Sequence, residues 1–182
     1  MNDAMQNELT RHDNWNRRFL CAVFAAFGIP GSYLDVGCGT GAMVELAHKL
    51  GIKSYGLDII LRSDEWFIGH DLRNKFELAG KFDLICCIEV LEHIEQRYED
   101  NVLQSIAQHT GQNGLLIFSA AGPGQDGINH VNCQLGSYWR TKLHDLGFNY
   151  RHDFTTRMQM AANLIPAPSR DWWIGNMQVF EK

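Results

Sequence analysis

Three glycines at alternating positions follow a short apolar segment, and their spacing is suited to binding a ligand. The segment 33–36 predicts a strand, and the apolar spacing after Ala42 predicts a helix. Between them lie Gly37, Gly39 and Gly41. Glycine accepts the positive φ that a tight turn needs, and it places no Cβ between the backbone and a ligand. The free N–H groups at the start of the next helix favour a ligand with a polar or anionic end.

Two classes of cofactor bind at a glycine turn of this kind, and the glycine pattern fits both. Gly37, Gly39 and Ala42 satisfy the G-x-G-x-x-G/A fingerprint of dinucleotide-binding proteins. Asp58 follows about 20 residues later, where that fingerprint expects an acid at the ribose. Asp35 does not suit a dinucleotide, because a carboxylate beside the turn would repel a pyrophosphate. It would attract a ligand that carries ammonium and sulfonium groups.

The stretch that begins at Asp35, Asp-Val-Gly-Cys-Gly-Thr-Gly, resembles the first motif of class I S-adenosylmethionine (SAM)-dependent methyltransferases. The resemblance implies that the Asp35 carboxylate helps to hold the methionine amino group of SAM. It also implies that the backbone of the turn packs against the methionine part, and that S-adenosylhomocysteine (SAH) is the product. The cofactor-binding residues expected in this stretch are Asp35, Gly37, Cys38, Gly39, Thr40 and Gly41.

Two later segments resemble the ribose and adenine contacts of the same family. Asp58 ends the second predicted strand (52–57), where a carboxylate can accept hydrogen bonds from both ribose hydroxyls. Ile59 would then lie against the adenine. Asp71 and Leu72 follow the third strand and match the position where an acid and a backbone amide contact the adenine ring.

The continuous apolar run 82–88 predicts a central parallel strand that is buried on both faces. The residues after it read Glu-Val-Leu-Glu-His, which resembles the segment after the fourth strand in many small-molecule methyltransferases. The resemblance places Glu89 and Val90 at the border of the cofactor. Glu92 and His93 would open the next helix at the mouth of the site.

Two histidines are candidates for removing a proton from a methyl acceptor, because an unperturbed imidazole titrates near pH 6.5. His93 follows the fourth strand. His130, with Asn132 nearby, lies in a glycine-rich loop (120–132) at the edge of the sheet where ligands bind in such folds. The alternative for His93 is a role in positioning the loop, and the alternative for His130 is that it is an incidental residue of a solvent-exposed loop. Neither has a second ligand at the usual metal spacing, so the sequence predicts no metal site.

The elements that position these residues alternate between strands and helices with short links. This order predicts an α/β fold with a doubly wound, Rossmann-like sheet that is mostly parallel. The class I resemblance implies seven strands, with a closing β-hairpin and an antiparallel last strand. Alternating apolar residues predict strands at 148–154 and 176–181, and a helix is expected at 155–165.

The first predicted helix (14–27) has two interpretations. It either packs on the sheet or folds its polar start over the cofactor mouth. That polar start comprises Arg11, His12, Trp15, Arg17 and Arg18. We expect the whole chain (1–182) to form a single domain, in which a helical lead-in (1–31) precedes a SAM-binding core (32–182).

The composition limits the class of protein. The chain has 182 residues, of which 45% are hydrophobic, and this is enough for one well-buried core. A formal net charge of −5 without an extended basic run disfavours nucleic acid as a partner. Five cysteines without a C-x-x-C pair predict free thiols in a reducing, cytoplasmic setting. No signal peptide and no membrane-length apolar run is recognisable, so we expect no membrane partner.

These features predict a cytoplasmic SAM-dependent methyltransferase that moves a methyl group to an oxygen or nitrogen of a small-molecule or exposed acceptor. Such a reaction is an in-line displacement, in which the protein mainly aligns the nucleophile, the methyl carbon and the sulfur. Two alternatives stay open. A non-catalytic SAM-binding protein would use the same cofactor residues without turnover. An NAD-dependent oxidoreductase would use the glycines and Asp58, but it leaves Asp35 and Asp71 unexplained. The sequence does not predict the oligomeric state.

Overall fold

The computed structural model describes residues 3–60, 63–165 and 171–182. The helices in these ranges are α1 (Asp3–Phe27), α2 (Ala42–Lys49), α3 (Glu99–His109), α4 (Gly136–Asp145), α5 (His152–Asn163) and α6 (Asp171–Asn176). The strands are β1 (Ser32–Val36), β2 (Lys53–Asp58), β3 (Phe67–Gly69), β4 (Phe82–Ile88), β5 (Thr110–Ser119), β6 (Asn149–Tyr150) and β7 (Gln178–Glu181). None of the helices within these ranges has the length and apolar character needed to cross a membrane.

The seven strands form one sheet in the order β3-β2-β1-β4-β5-β7-β6. The first five strands pair in parallel, and β7 runs antiparallel to both β5 and β6. The predicted α/β sheet with an antiparallel last strand is therefore confirmed. The strand order reverses between β1 and β4, and the crevice at the carboxyl ends of these two strands is where open α/β sheets bind ligands.

The core consists of one apolar layer on each face of the sheet. Strand β4 contributes to both layers, as its continuous apolar sequence predicts. Cys86 packs in the layer that contains residues of α1, α2 and α5. Ile85 and Cys87 pack in the opposite layer, which contains residues of α3 and α4. All three side chains are fully buried.

Helix α1 begins earlier than predicted and packs its apolar face on the sheet. Phe19, Leu20 and Val23 are fully buried. The indole of Trp15 contacts Trp173 edge to face, with ring centroids 4.6 Å apart. Helix α1 is therefore joined through Trp173 to α6, which the sequence did not predict.

The predicted strand 148–154 is wrong for most of its length, because helix α5 begins at His152. The alternating pattern there is short enough to fit either element. Helix α5 buries Thr155, Met158 and Ala162, which recur at helical spacing on one face. The Thr155 hydroxyl also accepts a hydrogen bond of 2.9 Å from the Val179 amide, and this contact fixes the helix against β7.

Candidate cofactor and acceptor site

The glycine turn connects β1 to α2 at the carboxyl edge of the sheet. The amides of Gly37 and Cys38 both donate to the Leu57 carbonyl, at 2.8 and 3.0 Å, and tie the turn to β2. The three glycines of the turn have φ between 54° and 76°. A Cβ on Gly37 would lie 2.4 Å from Cγ2 of Val90, whereas nothing lies within 4 Å of the Cβ position of Gly39. Packing and conformation therefore both require glycine at 37, and conformation alone favours it at 39.

The Asp35 side chain lies beneath this turn and is only 2% exposed. Its Oδ2 atom has no hydrogen-bond partner among the residues that the structure describes. Burial raises the pKa of the Asp35 carboxyl to about 7, and the negative charge of Asp58 adds to the rise. A contact with the Tyr33 hydroxyl opposes this rise in pKa. A buried acid with one unpaired oxygen still costs free energy, which a cationic ligand would offset.

Asp58 ends β2 and reaches the glycine turn. Its Oδ2 accepts a hydrogen bond of 2.8 Å from the Gly39 amide, and its Oδ1 accepts one of 3.1 Å from Ile60 N–H. Each carboxylate oxygen can accept further bonds. The neighbouring side chains of Ile59 and Ile60 are 65% and 50% exposed. The structure thus brings an acceptor group and exposed apolar surface together beside the turn.

Asp71 follows β3 and is engaged in a bidentate ion pair. Arg73 donates to Oδ2 of Asp71 from Nε at 2.9 Å and from Nη2 at 2.6 Å. These bonds lower the pKa of the Asp71 carboxyl. The next residue, Leu72, is buried in the core. An adenine amino group at Asp71 would have to share its carboxylate with Arg73, which the sequence analysis did not foresee.

The polar part of α1 contacts the glycine turn. The Thr40 hydroxyl donates to the Asp13 carboxylate, and Arg17 pairs with Glu45 at the start of α2 at 2.7 Å. The apolar residues of α1 pack on the sheet, as the first interpretation predicted. Its polar residues Asp13 and Arg17 instead contact the glycine turn and α2. Arg11 and His12 also belong to the predicted polar start, but the structure describes only their place in the helix and not their side chains.

Two glutamates lie at the carboxyl end of β4. Glu89 has a φ of 54°, and its amide is held by the Ser119 carbonyl at 3.0 Å and the Ser119 hydroxyl at 3.2 Å. Glu92 is fully buried. No carboxylate oxygen of either glutamate has a hydrogen-bond partner of standard geometry in the described part of the chain, but the two carboxyl groups contact each other, and weaker polar contacts reach the Ser119 hydroxyl and the Ala121 amide. Burial raises the pKa of Glu89 to about 8, with the charge of Glu92 adding to the rise, and burial also raises the pKa of Glu92.

The two candidate histidines lie together, with ring centroids 5.0 Å apart. Nδ1 of His93 lies 3.3 Å from the Asn129 carbonyl, and Nδ1 of His130 lies 3.2 Å from the Gln125 carbonyl. One ligating atom from each histidine and one from Glu92 lie within 4.8 Å of one another. The spacing argument against a metal site could not detect this group, because its members come from two separate segments.

Backbone and side-chain hydrogen bonds hold the loop that carries His130. The amides of Val131 and Asn132 donate to the Glu92 carbonyl at 2.8 and 3.0 Å. The Asn132 side chain donates to Glu99 at 2.8 Å. Glu99 is fully buried and pairs with Lys142 at 2.6 Å. Asn132 therefore positions the loop. The sequence analysis missed Glu99, because an acid in the first turn of a helix is an ordinary feature of the helix start.

A polar cavity of about 520 Å³ adjoins this loop at the carboxyl edge of β5. Its lining includes Gln125, Arg140, Tyr150, His152 and Gln178. Arg140 donates to Gln178 at 2.8 Å, and its guanidinium lies over the Tyr150 ring at 4.5 Å. Gln125 connects the cavity to the histidine pair, because its backbone carbonyl lies beside the His130 ring.

Known proteins that resemble this chain include enzymes of quinone biosynthesis. A ubiquinone biosynthesis O-methyltransferase from Shewanella pealeana is 25% identical over 135 residues, which cover 66% of this chain and 56% of the relative. The enzyme of the same name from Xanthomonas campestris pv. campestris is 26% identical over 160 residues, which cover 80% and 65%. The chain thus matches less than two thirds of the length of either relative.

Solved structures and a family model extend the comparison. A SAM-dependent methyltransferase from Archaeoglobus fulgidus is similar over 100% of both chains, with a TM-score of 0.65 and 14% identity. The magnesium protoporphyrin IX methyltransferase of Synechocystis PCC 6803 with bound SAH is similar over 100% of this chain and 87% of its own, with a TM-score of 0.62 and 18% identity. These structures share the fold. Residues 11–161 match the family model of a methyltransferase domain, and the chain belongs to that family.

Proposed function

We propose that this protein is a SAM-dependent methyltransferase that transfers a methyl group to an oxygen or nitrogen atom of a small acceptor. The observation that carries the proposal is the buried carboxyl of Asp35, which lacks a partner at Oδ2 beside the glycine turn of a methyltransferase-family chain. The ammonium group of SAM would supply the missing positive charge. A pyrophosphate at the same place would add a second negative charge.

If the SAM ammonium group lies at Asp35, the other cofactor contacts can be assigned as well. Asp58 would accept hydrogen bonds from the ribose hydroxyls while it keeps its bond to the Gly39 amide. Ile59 would cover one face of the adenine, because its side chain is exposed beside Asp58. The residues proposed to bind SAM are Asp35, Gly37, Cys38, Gly39, Thr40, Gly41, Asp58, Ile59, Asp71, Leu72, Glu89 and Val90.

The acceptor is proposed to bind in the polar cavity that Gln125, Arg140 and Gln178 line. Neither histidine lines this cavity, so the nucleophilic atom would have to extend past Gln125, whose carbonyl lies beside the His130 ring, to reach the histidine pair. We assign His93 and His130 a role in removing the acceptor proton as the methyl group arrives. The oxygen or nitrogen forms its bond to the methyl carbon, and the carbon–sulfur bond breaks with its electron pair left on sulfur. The leaving group is then neutral, so alignment is the main contribution of the protein.

The proposed setting is a reducing compartment such as the cytoplasm, and the acceptor is proposed to be a small molecule. In the part of the chain that the structure describes, Cys21, Cys86, Cys87 and Cys133 form no disulfide, which supports a reducing setting. The relatives named above are O-methyltransferases of a small-molecule pathway, and this supports a small hydroxyl-bearing acceptor here.

The test is SAH formation by the purified protein with SAM and a panel of phenols, catechols, amines and carboxylic acids. We expect at least one acceptor to yield SAH together with a product heavier by one methylene unit. In that reaction His93→Ala and His130→Ala should lower kcat and leave SAM affinity unchanged. If both variants turn over normally, the histidine assignment fails. SAM binding without SAH formation for any acceptor would favour a non-catalytic SAM-binding protein.

A further inference from the structure

We propose that Glu92, His93 and His130 bind one divalent metal ion of the Zn²⁺ or Mn²⁺ type at the acceptor side of the site. One ligating atom of each residue lies within 4.8 Å of the others, so small side-chain rotations would bring all three within bonding distance, about 2.1 Å, of a single ion. A pair of imidazoles with a carboxylate is a common ligand set for such ions. Only the role of the ion rests on the proposed methyl transfer, because its binding is a separate property.

The two imidazoles are oriented as metal-binding histidines usually are. Each presents Nδ1 to a backbone carbonyl, of Asn129 for His93 and of Gln125 for His130. A carbonyl can only accept, so Nδ1 carries the hydrogen and Nε2 keeps its lone pair. Backbone carbonyls that fix the tautomer in this way are the usual outer partners of metal-bound histidines. Nε2 of each ring is then the nitrogen whose lone pair is available to a cation.

The carboxylate of Glu92 supplies an independent observation. Its side chain is fully buried, and neither of its oxygens has a hydrogen-bond partner within the described ranges. The carboxylate oxygens of Glu89 next to it also lack partners there. Two buried carboxyl groups that have only weak polar contacts, with each other, the Ser119 hydroxyl and the Ala121 amide, are costly unless protons or a cation neutralise them. A divalent ion between Glu92 and the histidines would neutralise this charge and satisfy the oxygens.

The site is built before any ion binds. The amides of Val131 and Asn132 bond to the Glu92 carbonyl, and these bonds fix the loop of His130 against the segment of His93. Gly127 provides room for the His130 ring, because a Cβ at this position would lie 2.1 Å from Nε2 of His130. Gly127→Ala should therefore displace a ligand ring without removing any ligand.

The ligand set also indicates which ions bind. The two imidazole nitrogens suit Zn²⁺ and the Glu92 carboxylate also suits Mn²⁺, whereas Mg²⁺ prefers a set of oxygen ligands only. With both Nε2 lone pairs bound to the ion, the histidines could not accept the acceptor proton themselves, so the ion would take over the activating role proposed for them above. It would bind the acceptor hydroxyl and favour its loss of a proton to water. The oxygen would then form the bond to the methyl carbon as the carbon–sulfur bond breaks. The ion is neither oxidised nor reduced in this step.

The experiment measures metal binding to tag-free protein that has been treated with chelator and dialysed, in the absence of SAM. Zn²⁺ is titrated by calorimetry, and Co²⁺ is titrated by visible absorption as a spectroscopic probe of the same ligands. We expect one ion per chain for each metal and much weaker binding of Mg²⁺. His93→Ala, His130→Ala and Glu92→Gln should each weaken binding by on the order of tenfold or more. Gly127→Ala should weaken it as well.

The matched control is His144→Ala, which removes an exposed imidazole on α4 and should leave metal binding unchanged. No stoichiometric binding of Zn²⁺ or Co²⁺ would overturn the proposal. Binding that is equal in the wild type and in the His93, His130 and Glu92 variants would overturn it too. Each variant is also titrated with SAM, because cofactor binding does not require the metal. Loss of metal binding with normal SAM binding would contradict only the metal site, whereas loss of SAM binding would contradict the proposed function.

Discussion

The cofactor side and the acceptor side of the site are built in different ways. On the cofactor side, one continuous stretch from Asp35 to Gly41 supplies both the turn and its acid. On the acceptor side, His93 and His130 come from two segments, which are joined by hydrogen bonds to the Glu92 carbonyl. The first side depends on backbone conformation within one turn. The second depends on contacts between distant parts of the chain, so the two sides should respond differently to substitution.

The largest effect is expected from Gly37→Ala. Its Cβ would overlap Val90, and its φ of 76° is unfavourable for alanine. We expect a loss of about 2–4 kcal/mol in the free energy of unfolding and loss of detectable SAM binding. Gly39→Ala is the matched control, because it shares the positive φ without the overlap, and should cost only about 1 kcal/mol. Chemical denaturation measures both, and equal costs would contradict the packing role of Gly37.

Asn132→Ala tests the acceptor side in the same terms. It removes a hydrogen bond to the buried Glu99 carboxylate, and we expect a loss of about 1–3 kcal/mol in the free energy of unfolding. The loop that carries His130 should loosen, so kcat should fall while the Kd for SAM stays unchanged. Calorimetry with SAM and a turnover assay separate these effects. A weaker SAM affinity with normal kcat would contradict the division into two sides.

The protonation of Asp35 predicts a pH dependence of cofactor binding. Its pKa in the unliganded protein is about 7, so the carboxyl must lose a proton below that pH before it can pair with the SAM ammonium. We expect SAM affinity to fall roughly tenfold or more between pH 7.5 and pH 5.5. In Asp35→Asn this dependence should disappear. A pH-independent Kd in the wild type would contradict the assignment.

The same pKa predicts the sign of a stability change. The folded pKa of Asp35 lies above the unfolded value of 3.8, so the folded chain holds this proton more tightly. Its contribution to stability is full below pH 4 and is lost as the pH rises to about 7. Melting temperatures of wild type and Asp35→Asn across this range measure the effect. The wild type should lose stability relative to the variant as the pH rises.

The smallest effect is expected at Asp71. Its carboxylate is already paired with Arg73 and is accessible to water, so its replacement removes little free energy. Asp71→Asn should change the Kd for SAM by less than about threefold. A much larger loss would contradict the small contribution expected from a carboxylate that the adenine amino group shares with Arg73.

The sequence predicted the elements whose signals are local. The run of β4 was predicted with its observed ends, because six of its seven residues are apolar or cysteine and polar residues flank it. The glycine turn was predicted because three alternating glycines are themselves a local signal. The start of α5 was missed, because the seven residues 148–154 alternate in a way that fits a strand or a helix, and the tertiary contact between Thr155 and Val179 favours the helix.

The acceptor side was less predictable. The sequence identified His93 and His130 separately, but only the fold brings their rings within 5.0 Å. The partner of Asn132 in α3, Glu99, carries no local signal that would distinguish it from an ordinary helix start. The ion pair of Asp71 with Arg73 was likewise visible only in the structure. The histidine pair and the bond of Asn132 to Glu99 are long-range contacts that depend on tertiary geometry, whereas Asp71 and Arg73 are only two residues apart and pair through their side-chain conformations. A pattern of residue types encodes neither.

The most direct test of the central claim is calorimetric titration of the wild type and of Asp58→Ala with SAM, SAH and NAD. We predict roughly micromolar binding of SAM and SAH by the wild type and none of NAD. Asp58→Ala should lose about 1–3 kcal/mol of SAM binding free energy, with its fold checked by thermal melting. Binding of NAD alone, or unchanged SAM affinity in folded Asp58→Ala, would contradict the account.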